Sequence, residues 1–185
     1  TLGAVYAATM NFTIFEISFF LFLITVSGAI FQWPIGYLSD QRDRRLIIIS
    51  CSFLSVIFCF LLILSVGEHP EIMYLAIDWE INKLMFFIFI TLYAGVALPL
   101  FTLNLTYVND FVEKGKFVAA GAGLQIIFGL GAIGGPILCS VFMNKYGSNG
   151  FFIFLIIFHS LIGIFGIYRM NVRPSKENPD SQFVP

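Results

Sequence analysis

Five long apolar stretches separated by short polar breaks dominate the chain. They run over about 17–38, 46–66, 84–108, 117–143 and 151–170. At 1.5 Å rise per residue, ~20 helical residues cover the ~30 Å hydrocarbon core of a bilayer, so each stretch predicts a membrane-spanning α-helix. The fourth is long enough to need tilt or an end protruding into water. Helices are required because unpaired backbone groups in lipid are strongly disfavoured. An outer-membrane barrel would instead show short alternating segments, and the chain has none. Residues 1–10 are small and apolar but too short to cross, and they read as the end of a span whose beginning is missing. With Thr1 at the start and no signal-peptide pattern, the sequence reads as a fragment of a larger membrane protein.

The expected fold class is therefore an all-α polytopic membrane bundle over residues 1–172, with five complete transmembrane helices plus the end of a sixth. A polar, proline-punctuated tail, 173–185, is expected to be disordered. The spans differ in kind. The second and fifth are apolar almost all round, as suits helices that face lipid on several sides. The first, third and fourth carry Gly, Pro, Gln, Asn and Tyr, which marks them for close helix contacts or a polar pathway.

Composition agrees. The 185 residues are 58% hydrophobic and 11% charged, with 23 phenylalanines; a soluble domain is roughly a quarter charged. Lipid is the expected solvent and partner. The net charge of −1 argues against a nucleic-acid partner. Cys51, Cys59 and Cys139 lie inside apolar runs without metal-ligand or CxxC spacing, and read as packing residues. Charge placement then sets orientation. Of the 10 lysines and arginines, Arg42, Arg44, Arg45, Lys114, Lys116, Arg169, Arg173 and Lys176 collect on one side of the membrane, leaving Lys83 and Lys145 on the other. The positive-inside rule places the Arg-rich hairpin, the 109–116 loop and the C-terminus in the cytoplasm. The opposite loop, 67–83, is acidic, and its 73–81 portion is a candidate for lying on the membrane surface.

Gly28-Ala29-Ile30-Phe31-Gln32-Trp33-Pro34-Ile35 in the first span resembles Gly131-Ala132-Ile133-Gly134-Gly135-Pro136-Ile137 in the fourth, offset by one residue. The two spans run in opposite directions, so the copies have inverted topology, a frequent construction in secondary transporters. Gly36-x-x-x-Asp40 followed by Arg44-Arg45 resembles the signature loop of the major facilitator superfamily, G-x-x-x-D-[RK]-x-G-[RK]-[RK]. It departs at Gln41, in place of a basic residue, and at Asp43, in place of glycine; Arg42 offers a basic group one position on. The run from Phe31 to Asp40, with Asn109-Asp110 closing the third span, is similar to the carboxy-terminal half of drug- and sugar-carrier-like members. Gly131-x-x-x-Gly135-Pro136 matches the end of the family pattern G-x8-G-x3-G-P, with Ala122 where its first glycine stands.

The resemblance implies that the five spans are family helices eight to twelve, that residues 1–10 end helix seven, and that a missing amino-terminal half completes the carrier. It implies a secondary transporter in the cytoplasmic membrane that moves a small-molecule substrate by alternating access, with protons as a candidate coupling ion and no cofactor. It places Asp40 against the amino-terminal end of the fourth span near Phe117 as a gate, together with Gly36, Arg42, Arg44 and Arg45. The alternative is a local cap, with the arginines as topology anchors. Asp110 is placed to pair with Arg42 or Arg44, as a latch or as an incidental ion pair.

In the third span Tyr93, Ala97, Leu100, Asn104 and Tyr107 fall on one face of a regular helix. Family helix ten lines the central cavity, so Tyr93 and Asn104 are the implied substrate contacts, with a bend at Pro99. The competing reading is that Asn104 hydrogen-bonds a neighbouring helix. Gln32 and Gln125 are secondary cavity candidates. Gly28, Gly131, Gly135 and Pro136 are expected to serve helix packing. Thr13 and Glu16 fit a capping box, preferred over proton coupling by Glu16. His159 is expected to be neutral and hydrogen-bonded in a peripheral helix. The chain has no HExxH, P-loop or nucleophile-elbow motif, so an enzyme is not expected. The rival to a carrier is a polytopic membrane protein without transport activity.

Overall fold

The computed structural model describes residues 2–10, 12–66, 79–113 and 115–172, and every element in them is helical. The expectations for residues 67–78, Lys114 and the 173–185 tail lie outside the described residues. Helix α1 spans Leu2–Thr9, α2 Ile14–Gln41, α3 Arg44–Val66, α4 Trp79–Ala97, α5 Pro99–Asn109, α6 Phe117–Tyr146 and α7 Gly150–Val172. Helices α4 and α5 are two parts of one crossing, Asn82–Asn109, so among the described residues there are five spans long and apolar enough to cross a membrane.

The start of α2 is set locally. Thr13 is extended at φ −63°, ψ 160°, and its hydroxyl accepts from the Glu16 N–H at 3.3 Å. Glu16 Oε2 accepts from the Thr13 N–H at 2.8 Å, completing the capping box. Within the spans, Ser52 and Ser55 are fully buried but donate to Ile48 and Cys51 carbonyls of their own helix, both at 2.8 Å. Their hydroxyls therefore meet lipid or core without an unsatisfied group.

Helix α3 packs on α4 and α7, and α2 packs on α4. Glycines let these helices meet. A Cβ on Gly166 of α7 would stand 2.5 Å from Ile49 Cγ1 of α3, and one on Gly28 of α2 would stand 2.4 Å from Leu98 Cδ1. One buried cluster joins Tyr6, Phe12, Phe20, Leu62, Phe86 and Phe152, with edge-on ring contacts such as Tyr6–Phe152 at 4.8 Å. A second, nearer the 42–43 turn, joins Ile47, Ile48, Cys51, Val96, Leu100 and Leu103.

Two features bear on function. The third crossing breaks at Leu98–Pro99. Proline has no N–H to offer the Gly95 carbonyl and its ring crowds that carbonyl, whereas Leu98 N still reaches Ala94 O at 3.1 Å. Pro34 and Pro136 sit inside α2 and α6 without ending either helix. Secondly, α6 leans mainly on α7 and α5, with Met143 also packed against the Tyr6 cluster, and Cys139 is its one buried residue.

Candidate functional site

The turn between α2 and α3 is the most heavily paired part of the molecule. Arg44, at the first position of α3, donates from Nη2 to Asp40 Oδ1 at 2.7 Å and from Nε to the buried Ser39 hydroxyl at 3.1 Å. Its Nη1 donates to both carboxylate oxygens of Asp110, at 3.0 and 3.2 Å. One guanidinium thus joins the end of α2, the start of α3 and the end of α5, a geometry its fixed fork of donors suits. The acidic partners are open to solvent, Asp40 by 71% and Asp110 by 43%. Arg42 is exposed, and Gly36 has no atom within 4 Å of where a Cβ would be.

Asp43 stands where the signature pattern has glycine, and it has its own work. Its carboxylate accepts from the Arg45 N–H at 3.0 Å, capping α3, and from Arg45 Nε at 3.1 Å and Nη2 at 2.7 Å. The Arg45 guanidinium, helped by that backbone N–H and opposed by partial burial, holds the Asp43 carboxyl below its ordinary value of 3.8.

Away from the turn, polar side chains within the spans reach the surface of α2, α5 and α6 among exposed apolar ones such as Trp33, Phe101 and Ile126. Gln32 donates from Nε2 to Thr102 Oγ1 at 3.1 Å, an exposed bond between α2 and α5. Along α2, Gln32 lies about 12 Å from Asp40 and about 24 Å from Glu16 at 1.5 Å per residue, well inside the span. Gln125 is exposed on α6, and Phe128, one turn further on, meets Phe101 of α5 at 5.0 Å between ring centroids. Asn104 donates to the Leu100 carbonyl of its own helix at 2.7 Å. Tyr93 lies elsewhere. It is on α4, before the break, with its ring edge-on to His159 of α7 at 5.7 Å. The break therefore puts Tyr93 and Asn104 on separate helical segments, not on one continuous face. His159 Nδ1 is 2.8 Å from the Leu155 carbonyl.

Of the residues expected to serve packing, Gly28 receives Leu98. Gly131 and Gly135 have no atom within 4 Å of an added Cβ. Pro136 lies within α6. Four participants were not singled out from sequence as partners: Asp43, Ser39, Thr102 and Lys83. Lys83 ion-pairs with Glu16 at the other end of α2 and stands 5.6 Å from the Phe12 ring centroid. Contacts across 60 to 70 residues, such as Gln32–Thr102 and Glu16–Lys83, depend on how helices are rotated, which no local pattern records.

Polar side chains face lipid only at considerable cost, so the exposed amide–hydroxyl pair of Gln32 and Thr102 within the spans favours a face turned to protein or water. Leu54, Ile57, Phe60 and Leu64 of α3, and Leu161, Ile164 and Phe165 of α7, are exposed and wholly apolar.

Five lipid-length helices define a multi-pass helical membrane protein. The family model described as Major Facilitator Superfamily matches residues 1–184, and the chain belongs to that superfamily. The uncharacterised MFS-type transporter YfkF of Bacillus subtilis is 28% identical over 152 residues, covering 82% of this chain and 35% of the relative. An uncharacterised MFS-type transporter of Yersinia enterocolitica is 23% identical over 170 residues, covering 92% of this chain and 37% of the relative. One from Enterobacter sp. is 22% identical over 139 residues, covering 75% and 32%. The chain spans about a third of the length of these relatives. No solved structure matches the chain significantly.

Proposed function

We propose that this chain is the carboxy-terminal half of a secondary transporter that moves a small solute across the cytoplasmic membrane by alternating access. The observation that carries the reading is the exposed Gln32–Thr102 hydrogen bond within the spans, with Gln125 exposed on α6 and apolar surfaces on α3 and α7. Such a face is the wall of a pathway shared with an amino-terminal half. Family membership and relatives named as transporters support it. The positive charge around the 42–43 turn supports placing that turn, and the C-terminus, in the cytoplasm.

Arg44 is the proposed cytoplasmic latch. It joins Asp40 and Asp110, whose carboxylates water reaches although the Arg44 side chain is only 14% exposed, so the carboxylate side of each bond can be exchanged for hydration. Such a contact biases a two-state equilibrium without freezing it. Solute recognition on this side falls to neutral groups, Gln32, Thr102, Gln125 and Asn104, because α2 carries no charged residue between Glu16 and Asp40 and α5 none at all. The protein acts as a carrier, not an enzyme, and a proton or solute gradient drives it.

The test is uptake of a compound library into vesicles holding the full-length protein, with and without a pH gradient. Protein-dependent flux of at least one solute is expected, and Asp40→Asn should slow its turnover more than it weakens its binding. Flux unchanged by Asp40→Asn removes the latch; absence of any flux across the library removes the transporter.

A further inference from the structure

The two ends of α2 are tied to the third crossing in different ways. At the turn end, Arg44 meets carboxylates that are 43% and 71% exposed. At the far end, Lys83 of α4 meets Glu16 of α2 with both side chains sheltered, 19% and 21% exposed. The sheltered pair is also anchored on each side. Glu16 Oε2 is held by the Thr13 N–H at 2.8 Å and hydroxyl at 2.9 Å, leaving Oε1 for Lys83. The Lys83 ammonium lies over Phe12, whose ring packs edge-on against Phe86 of α4 at 5.5 Å. Opening this pair uncovers two sheltered side chains, whereas at the turn only Arg44 is sheltered, at 14% exposure, and its carboxylate partners are already open to water. Between the two ends lies the Leu98–Pro99 break, seated on Gly28.

We infer that Glu16 and Lys83 are a positioning pair that keeps the far ends of α2 and α4 together throughout the conformational cycle, so that the third crossing moves at its turn end. The cycle itself rests on the transport reading above; the pairing does not. The Ser27 hydroxyl, which donates to the Thr91 carbonyl, adds a second tie between α2 and α4 on the same side of the break.

The experiment uses full-length protein in lipid vesicles, with other reactive cysteines replaced. Spin labels are placed on cysteines at Phe15 and Leu84, both exposed beside the pair, or at Gln41 and Glu113 beside the turn. The 15–84 pair should give one narrow distance, and the 41–113 pair two populations. Glu16→Gln keeps the cap to Thr13 but removes the charge, and should abolish the single narrow 15–84 distance, as should Lys83→Met. Lys83→Arg should restore it, and the double variant should be no broader than either single one. Two populations at 15–84 in the unmodified protein would make the pair a gate and overturn the proposal. So would a narrow distance surviving both Glu16→Gln and Lys83→Met. One population at 41–113, with 15–84 narrow and sensitive to Glu16→Gln, supports the positioning pair while removing the alternating-access reading.

Discussion

Asp43 gives the turn what a glycine there would not. Its carboxylate caps α3 and binds the Arg45 guanidinium through both oxygens, which fixes the direction in which α3 leaves the turn. That direction determines where Arg44 points, and hence whether it reaches Asp40 and Asp110 together. Because the folded protein holds Asp43 below its ordinary carboxyl value, the charged form is favoured by folding. Its contribution to stability is therefore complete above the unfolded value near 3.8 and is lost as pH falls through the lower folded value. Asp43→Asn keeps a cap on α3 but removes the charge facing Arg45, so it should lower thermal stability at neutral pH by ~0–1 kcal/mol, and its deficit should shrink below pH ~4. A deficit of the same size at pH 3 and pH 7 would show that the carboxylate is not the stabilising group. The capping box at Thr13 and Glu16 was legible in the sequence because its partners are three residues apart. Arg45–Asp43 is just as local, yet a comparison with the signature pattern marks Asp43 only as a departure. The Lys83 partner of Glu16 was not legible, since it is 67 residues away.

At the scale of elements, the third crossing is two helices in series. Gly95 loses its hydrogen-bond donor to Pro99, and Leu98 turns toward α2, where Gly28 leaves room for it. Pro99→Ala returns an N–H to the Gly95 carbonyl. Hydrogen exchange of the amides at 99–102 should then slow, as α4 and α5 join into one helix. Unchanged exchange at those positions would mean that packing against α2, not the proline, makes the break. A bend at Pro99 could be read from sequence, but not its effect on rotation. A continuous helix sets Tyr93 and Asn104 on one face; the observed break leaves Tyr93 against His159 of α7. Span number and position were legible because hydropathy and length decide them. Which side of each span meets which neighbour rests on contacts such as Gly166–Ile49 and Gly28–Leu98, which arise only when helices assemble.

On the scale of the whole molecule, the exposed rows of α3 and α7 are apolar, whereas α2, α5 and α6 carry Gln32, Thr102 and Gln125 among their exposed apolar residues. The exposed rows on α3 and α7 meet the solvent their composition calls for. Gln32, Thr102 and Gln125 do not, and α6, with only Cys139 buried, has little of its surface covered by the described residues. In the proposed transporter, an aqueous pathway beside these residues would account for Gln32, Thr102 and Gln125 together. The most direct measurement is the labelling rate of single cysteines by a water-soluble, membrane-impermeant thiol reagent in membranes holding the full-length protein. Cysteines at Gln32, Thr102 and Gln125 should react many times faster than those at Leu54, Phe60 and Leu161. Equal rates across both sets, or faster labelling of the α3 and α7 positions, would contradict the account.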